Sequence, residues 1–226
     1  MNLRGREVSR IEGFSDAVFG FALTLLVVSL EVPDNFEGLK QSLRGFLPFA
    51  ATFALMCWIW FEHYAFFRMF DAEDKVTIAL NCTLLFLVLF FVYPLKFVFT
   101  NVIGMMSGNA AAFRNMTVAD HRMLFLVYST GFVAMFAIFV LLYWNMYQRR
   151  LALGLSERQA FEAKAGARTH LVSIAVGIAS ILMALTVPIQ WIWTAGAIYG
   201  LQGPLHWRNG VMIDRARKRT TAATTE

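Results

Sequence analysis

Polar side chains able to form hydrogen bonds or exchange protons interrupt the first three long apolar stretches of the sequence. They are Arg10, Glu12 and Asp16 in the first stretch, Glu62 and His63 in the second, and Asn81 in the third. Ionisable groups are costly in hydrocarbon and usually face the interior of a helix bundle or a watery path. These positions are therefore the first candidates for a functional site.

The candidate residues reach a common depth when each stretch is treated as a helix. At about 1.5 Å per residue, Asp16 lies about 6 Å from the cytoplasmic end of its helix, and His63 and Asn81 each lie about 7 Å from theirs. Because successive spans run in opposite directions, this agreement predicts a hydrogen-bonded cluster that holds three helices together near the inner membrane face. Its members are Arg10, Ser15, Asp16, Trp60, His63 and Asn81. A proton relay through His63 and Asp16 is the alternative use of these residues.

A second pattern lies farther along the first stretch. Ala17, Phe21, Thr24 and Val28 recur at helical spacing on one face. Phe21 and Thr24 lie about 14 to 18 Å from the inner boundary, which is the middle of the bilayer. The small residues Gly13, Ala17, Gly20 and Thr24 share an overlapping face, which is typical of close helix packing in membranes. The Thr24 hydroxyl could also bond the backbone carbonyl four residues earlier.

The composition indicates a membrane protein rather than a water-soluble globule. Of the 226 residues, 58% are hydrophobic and 15% are charged, whereas soluble domains are about 45–50% apolar and about 25% charged. A membrane-spanning helix needs about 20 mainly apolar residues. The sequence predicts an all-α membrane fold in one six-helix domain (1–226), with spans at about 14–32, 46–67, 76–98, 123–146, 171–187 and 189–207.

The distribution of positive charge predicts the orientation of these spans. With the N-terminus inside, fifteen of the 20 Lys and Arg residues fall on the cytoplasmic side, where positive loops stay. Both termini are therefore predicted to be cytoplasmic. Because only the region around Pro188 separates the last two spans, five spans with one broken helix is the alternative. We also predict a cytoplasmic helix capped at Ser156 and a disordered basic cytoplasmic tail at 210–226.

Several functional classes lack the residues they need. Cys57 and Cys82 lie inside apolar runs and show no disulfide or Cys/His metal spacing, and no catalytic triad or phosphate-binding loop is visible. We expect no enzyme, no cofactor, no resident metal and no nucleic-acid partner. A proton-coupled secondary transporter using Asp16, His63 and Glu62 stays open, as do a haem held by two of the four histidines and a scaffold without transport.

Residues 10–16 have the pattern Arg-x-x-x-Phe-Ser-Asp, which resembles the signature of the transmembrane protein 175 potassium-channel family. Trp60, His63, Asn81 and Pro94 also stand where that family's pattern places them, so the resemblance covers residues 10–95. It implies a homotetrameric, potassium-permeable cation channel of the bacterial single-repeat type, multi-pass in the cell inner (plasma) membrane. The implied partners are further copies of the chain, the lipid bilayer and monovalent cations, with K⁺ as the permeant ion.

The resemblance also implies roles for individual residues. The pore would be lined by the first helix of each copy, without a selectivity-filter loop. The hydrophobic constriction of the family, five positions after the motif Asp, corresponds to Phe21, followed along the pore by Thr24 and Val28, with transient K⁺ near Thr24. The implied structural hydrogen-bond network contains Arg10, Phe14, Ser15, Asp16, Trp60, His63 and Asn81.

The cost of removing water from an ion predicts a modest potassium preference in such a pore. An apolar ring gates by dewetting, and hydroxyl oxygens replace part of the water shell of an ion. Dehydration costs sodium more than potassium. Because the chain carries the signature motif once, closing a pore requires several copies around a symmetry axis.

Overall fold

The computed structural model describes residues 8–30, 33–106 and 116–223, with the side chains of 41, 44, 105, 106 and 214–223 outside this description. All regular structure in these ranges is helical. In chain order the helices are α1 (Arg10–Val28), α2 (Phe36–Arg44), α3 (Phe46–Phe70), α4 (Lys75–Met106), α5 (Val118–Gln148), α6 (Glu157–Thr186), α7 (Trp193–Ala197) and α8 (Gln202–Ala223). The all-helical prediction is confirmed for this part of the chain.

Five helices in the described ranges are long and apolar enough to cross a membrane, namely α1, α3, α4, α5 and α6. They coincide with the first five predicted spans, although their ends differ by several residues. α1 ends at Val28, and the predicted end of the first span at 31–32 lies outside the described residues. α6 begins directly after Ser156, whose side chain accepts a hydrogen bond from the Gln159 backbone, so the predicted cytoplasmic helix and the fifth span form one helix.

The sixth predicted span, 189–207, does not form one continuous helix. Pro188 follows α6, and the chain then forms a 3₁₀ helix (Ile189–Trp191), α7, a second 3₁₀ helix (Ile198–Leu201) and α8. Proline cannot continue a helix, and the glycines at 196, 200 and 203 each weaken helix formation by about 1 kcal/mol relative to alanine. We call residues 188–209 the return segment.

Side-chain hydrogen bonds show the direction of the return segment relative to α6. The Ser180 hydroxyl donates to the Ala195 carbonyl at 2.6 Å. Farther back along α6, the Ser173 hydroxyl lies 2.9 Å from His206 Nε2. Farther still, Asn209 Nδ2 donates to Thr169 Oγ1 at 2.8 Å. As the return segment advances, its partners move toward the start of α6, so the two run antiparallel.

The chain divides into two compact units, residues 1–124 and 125–226. In the first unit α1, α3 and α4 pack around a core of large apolar side chains. Its most buried members are Phe19, Ala22, Leu26, Met56, Ile59, Phe66, Phe67, Leu84, Leu85, Val88, Val92 and Leu95. A capping box fixes the start of α1, because Ser9 and Glu12 each bond the backbone N–H of the other at 3.3 and 3.0 Å.

In the second unit α5 and α6 approach closely at Gly177. A Cβ atom at this position would lie 2.5 Å from Val133 Cγ2, so a larger residue would require Val133 to move. His170 is buried beside the ring of Phe139, with ring centroids 4.9 Å apart.

α8 continues to Ala223. The prediction of a disordered tail is therefore wrong for residues 210–223, which are helical. Ala and Arg, of which residues 210–226 contain three each, are among the strongest helix formers.

Candidate functional site

A chain of hydrogen bonds through Asn81 links the first three spanning helices. Asn81 Nδ2 on α4 donates to Ser15 Oγ on α1 at 2.9 Å, and its Oδ1 lies 2.8 Å from His63 Nε2 on α3. Because a carbonyl oxygen carries no hydrogen, His63 is the donor. The Ser15 hydroxyl donates to the Ile11 carbonyl at 2.7 Å. All three side chains are buried, so each polar group has exchanged water for a protein partner.

A second polar pair joins α1 to α3 at the edge of this core. Trp60 Nε1 donates to Asp16 Oδ1 at 2.8 Å. The Trp60 ring stacks on Tyr64 with centroids 5.7 Å apart, and the Arg68 guanidinium lies 5.8 Å from the Tyr64 centroid. Asp16 therefore contacts an indole rather than the His63 imidazole, and the two ionisable side chains belong to separate hydrogen-bonded groups.

The structure brings together five of the residues predicted to form the network and leaves two apart from it. Ser15, Asp16, Trp60, His63 and Asn81 make the contacts described above. Arg10 is exposed at the first position of α1, and among the described residues it makes no hydrogen bond to this group. The Phe14 side chain is 56% exposed.

The face of α1 opposite the core carries the predicted constriction residues. Ser15, Phe19, Ala22 and Leu26 form the buried face. Phe21 is 57% exposed and Val28 is 70% exposed, and Thr24 is also exposed. Thr24 Oγ1 donates to the Gly20 carbonyl at 2.9 Å, which is the backbone bond considered from the sequence.

The small residues on the same side of α1 lie against open space. A Cβ atom added at Gly13 or Gly20 would meet no atom within 4 Å. Ala17 is exposed as well. Among the described helices of the first unit, none therefore packs on the face that the sequence suggested for close packing.

A contact at the other end of α1 was not predicted from the sequence. Lys96 Nζ on α4 donates to the Ser29 carbonyl at 2.8 Å and to Ser29 Oγ at 2.6 Å. A lysine inside a long apolar stretch was the available signal, but its partner is a backbone carbonyl, which no side-chain pattern reveals. Among residues 8–30, 33–106 and 116–223, no three His, Cys, Asp or Glu side chains are grouped as metal ligands would be.

Comparison with known proteins identifies relatives over most of the chain. The family model described as endosomal/lysosomal potassium channel TMEM175 matches residues 10–94. This part of the chain holds both the hydrogen bonds through Asn81 and the Asp16–Trp60 pair. A protein of Marivirga tractuosa named potassium channel is 37% identical over 194 residues, which cover 83% of this chain and 78% of the relative. A potassium channel of Chamaesiphon minutus is 36% identical over 96 residues, covering 39% of this chain and 47% of the relative.

Two solved structures share the arrangement of helices. The crystal structure of a variant of the potassium channel MtTMEM175, in complex with a nanobody fusion protein, matches with a TM-score of 0.81 and 34% identity over 94% of this chain and 96% of that one. A lysosomal potassium-selective channel TMEM175 homologue from Chamaesiphon minutus matches with a TM-score of 0.53 and 25% identity, covering 88% and 96%. With its spanning helices, its signature residues and these relatives, the chain is a multi-pass membrane protein that belongs to the TMEM175 family of potassium channels.

Proposed function

We propose that four copies of this chain form a potassium-permeable cation channel in a bacterial plasma membrane, with α1 of each copy lining the pore. The observation that carries this proposal is the division of α1 into two faces. One face is bonded and packed to α3 and α4, and the other exposes Phe21, Thr24 and Val28. A single such face cannot enclose a path across the bilayer, whereas a closed ring of copies can. The potassium channels among the relatives support the same function.

The exposed face has the chemistry that a path without a carbonyl filter requires. A ring of Phe21 side chains is an apolar constriction that excludes water when narrow. Thr24 has committed its hydroxyl proton to the Gly20 carbonyl, so its lone pairs stay available as acceptors for a cation. Four such oxygens next to the apolar ring replace part of the water shell of K⁺ at a smaller dehydration cost than for Na⁺. Modest potassium preference follows.

The polar network near the inner end of α1 serves this pore as a structural fastening. Asn81 bonds α1 to α4 while Trp60 bonds it to α3. These contacts fix the rotation of α1 about its own axis, and with it the direction in which Phe21 and Thr24 point. No proton needs to move through the network in this mechanism.

We propose six membrane crossings with both termini in the cytoplasm, the return segment being the sixth. Its antiparallel bonds to α6 extend from Ser180 to Thr169, about 16 Å along that helix at 1.5 Å per residue. Trp191 and Trp193 are exposed just beyond the end of α6, and Trp207 is exposed at the far end of the return segment. Tryptophans at both ends of a crossing are typical of the two membrane interfaces.

Flux measurements on the purified chain in liposomes test the pore assignment. Phe21→Ala widens the apolar ring, so we expect K⁺ flux to rise several-fold and the K⁺ over Na⁺ preference to fall. Phe86→Ala is the matched control, because Phe86 is 66% exposed but lies on α4; it should leave both quantities unchanged. If Phe21→Ala leaves flux and preference unchanged as well, Phe21 is not in the pore.

The same assay separates a channel from a proton-coupled transporter. A transporter that uses Asp16 and His63 as a relay loses uptake in Asp16→Asn, since the amide cannot carry the proton. In the channel, Asp16→Asn keeps an oxygen that accepts from Trp60 Nε1, so K⁺ flux should persist without a proton gradient. Loss of flux with an intact assembly would favour the transporter.

A further inference from the structure

The hydrogen-bonded side chains of Ser15, Asp16, Trp60, His63 and Asn81 form what we call the inner polar network. Outside it, the strongest feature is the contact between Lys96 and the outer end of α1. The Lys96 ammonium donates to both the carbonyl and the hydroxyl oxygen of Ser29, at 2.8 and 2.6 Å. Ser29 caps the C-terminus of α1 directly after Val28, and its hydroxyl donates its own proton to the Leu26 carbonyl at 2.6 Å. The Ser29 oxygens are therefore oriented as acceptors for the ammonium.

The position of Lys96 along α4 explains how a charged residue is accommodated there. Lys96 is 21 residues beyond Lys75, the first residue of α4, which is about 32 Å along the helix. That distance is close to the thickness of the hydrocarbon core. The ammonium therefore lies near an interface, where it meets the C-terminal end of α1. Helix C-termini carry partial negative charge and favour a cation.

Spacing shows that α4 holds α1 at two points in register. On α1 the two contact residues, Ser15 and Ser29, are 14 residues apart, and on α4 their partners, Asn81 and Lys96, are 15 residues apart. At about 1.5 Å per residue these separations are about 21 and 22 Å, so two parallel helices match at both ends. Phe21 and Thr24 lie between the two contacts.

We propose that Lys96 is a positioning residue for the pore helix: it fastens the outer end of α1 to α4 and thereby sets the placement of Val28 and Thr24. This inference rests on the proposed function, in which α1 lines the pore. Asn81 alone fixes only the inner end of the helix. With the outer contact in place, the exposed face of α1 is held against both rotation and tilting away from α4.

Hydrogen–deuterium exchange and ion flux on reconstituted protein test the proposal together. Lys96→Met keeps the length and apolar stem of the side chain but removes the donor. We expect backbone amides of the last turn of α1 to exchange roughly tenfold faster, since a hydrogen bond from a charged donor is lost. Amides around Ser15, at the other contact with α4, should keep their rate. The K⁺ to Na⁺ flux ratio should change in the same variant.

Matched variants separate positioning from loss of charge or of folding. Lys96→Arg keeps a charged donor and should restore both the exchange rate and the flux ratio. Lys40→Met removes another lysine, exposed on α2 and paired with Glu37, and should change neither quantity. If Lys96→Met does not fold, Lys96→Gln, which keeps a polar end but removes the charged donor, should still give an acceleration confined to the last turn.

Each result decides between the two claims. Unchanged exchange at the last turn, or equal acceleration throughout α1, overturns the fastening role of Lys96. Localised acceleration with an unaltered flux ratio overturns its role in positioning the pore. If the wild-type protein carries no K⁺, the channel proposal fails, while localised exchange in Lys96→Met still establishes the fastening of α1.

Discussion

At the scale of single residues, the Asn81 amide is the centre of the inner polar network. Its nitrogen donates to Ser15 and its oxygen accepts from His63, so one side chain satisfies polar groups on two other helices. The site is fully buried, and water cannot replace a lost partner there. Under these conditions a missing partner costs more than the bond itself contributes.

We expect Asn81→Ala to destabilise the protein by about 1–3 kcal/mol, because it leaves the buried His63 donor without its acceptor. The measurement is the thermal unfolding midpoint of the detergent-solubilised protein. Thr83→Ala is the control: Thr83 is exposed on the same helix and donates only to the carbonyl of Ala79, so its midpoint should stay close to that of wild type. Equal midpoints for the two variants would contradict the structural role of Asn81.

The sequence predicted which residues form this network better than how they are connected. Counting residues from the helix ends measures depth, and depth was enough to bring Asp16, His63 and Asn81 to one layer. It does not measure direction around the helix axis. Arg10 and Phe14 share the neighbourhood of that layer, but the structure exposes both of them.

At the scale of helices, the two faces of α1 could not be told apart from hydrophobicity. In water the apolar face of a helix is the buried one. In lipid both the packed face and the exposed face are apolar, so packing and hydrogen bonds decide which face is buried. Phe19 and Phe21 are identical in type, yet Phe19 is buried against the His63 ring at 5.6 Å and Phe21 is exposed. The resemblance to the family selected Phe21; the composition did not.

The return segment shows a different limit of sequence-based prediction. Its length and lack of charged residues up to 207 satisfied the requirement for a span, but proline and glycine divide it into short helical pieces. Irregular backbone at membrane depth is tolerated only where protein or a watery cavity satisfies its polar groups. The Ser180 hydroxyl, which donates to the Ala195 carbonyl, is one such partner.

Cysteine labelling in intact cells checks whether the return segment crosses the membrane. In a chain with Cys57→Ser and Cys82→Ser, single cysteines are introduced as Asp34→Cys, Leu151→Cys and Gly210→Cys. We expect a membrane-impermeant maleimide to label position 34 from outside, and positions 151 and 210 only after permeabilisation, because Asn209 bonds Thr169, which lies beside the predicted inner end of the fifth span. Labelling of position 210 from outside would mean that the chain has five crossings.

At the scale of the whole molecule, the proposed assembly of copies depends on the exposed face of α1, which no described helix of the first unit covers. Small residues let helix backbones approach closely, and they are enriched where membrane helices pack together. On α1 they alternate with the proposed pore residues, so copies of the helix could pack side by side and still present Phe21 and Thr24 to a shared axis. The same face would serve both assembly and permeation.

Gly20→Leu separates folding from assembly, since its Cβ meets open space within the chain and leucine is a better helix former than glycine. We expect the variant to keep its helical content and its unfolding midpoint. The mass of the solubilised particle should fall from four chains toward one 25.6 kDa chain, and K⁺ flux should be lost, because the larger side chain prevents neighbouring copies of α1 from converging. Gly210→Leu, at a helical glycine that also faces open space, should retain both mass and flux. A Gly20→Leu particle of unchanged mass that conducts K⁺ normally would show that α1 does not lie at the centre of the assembly.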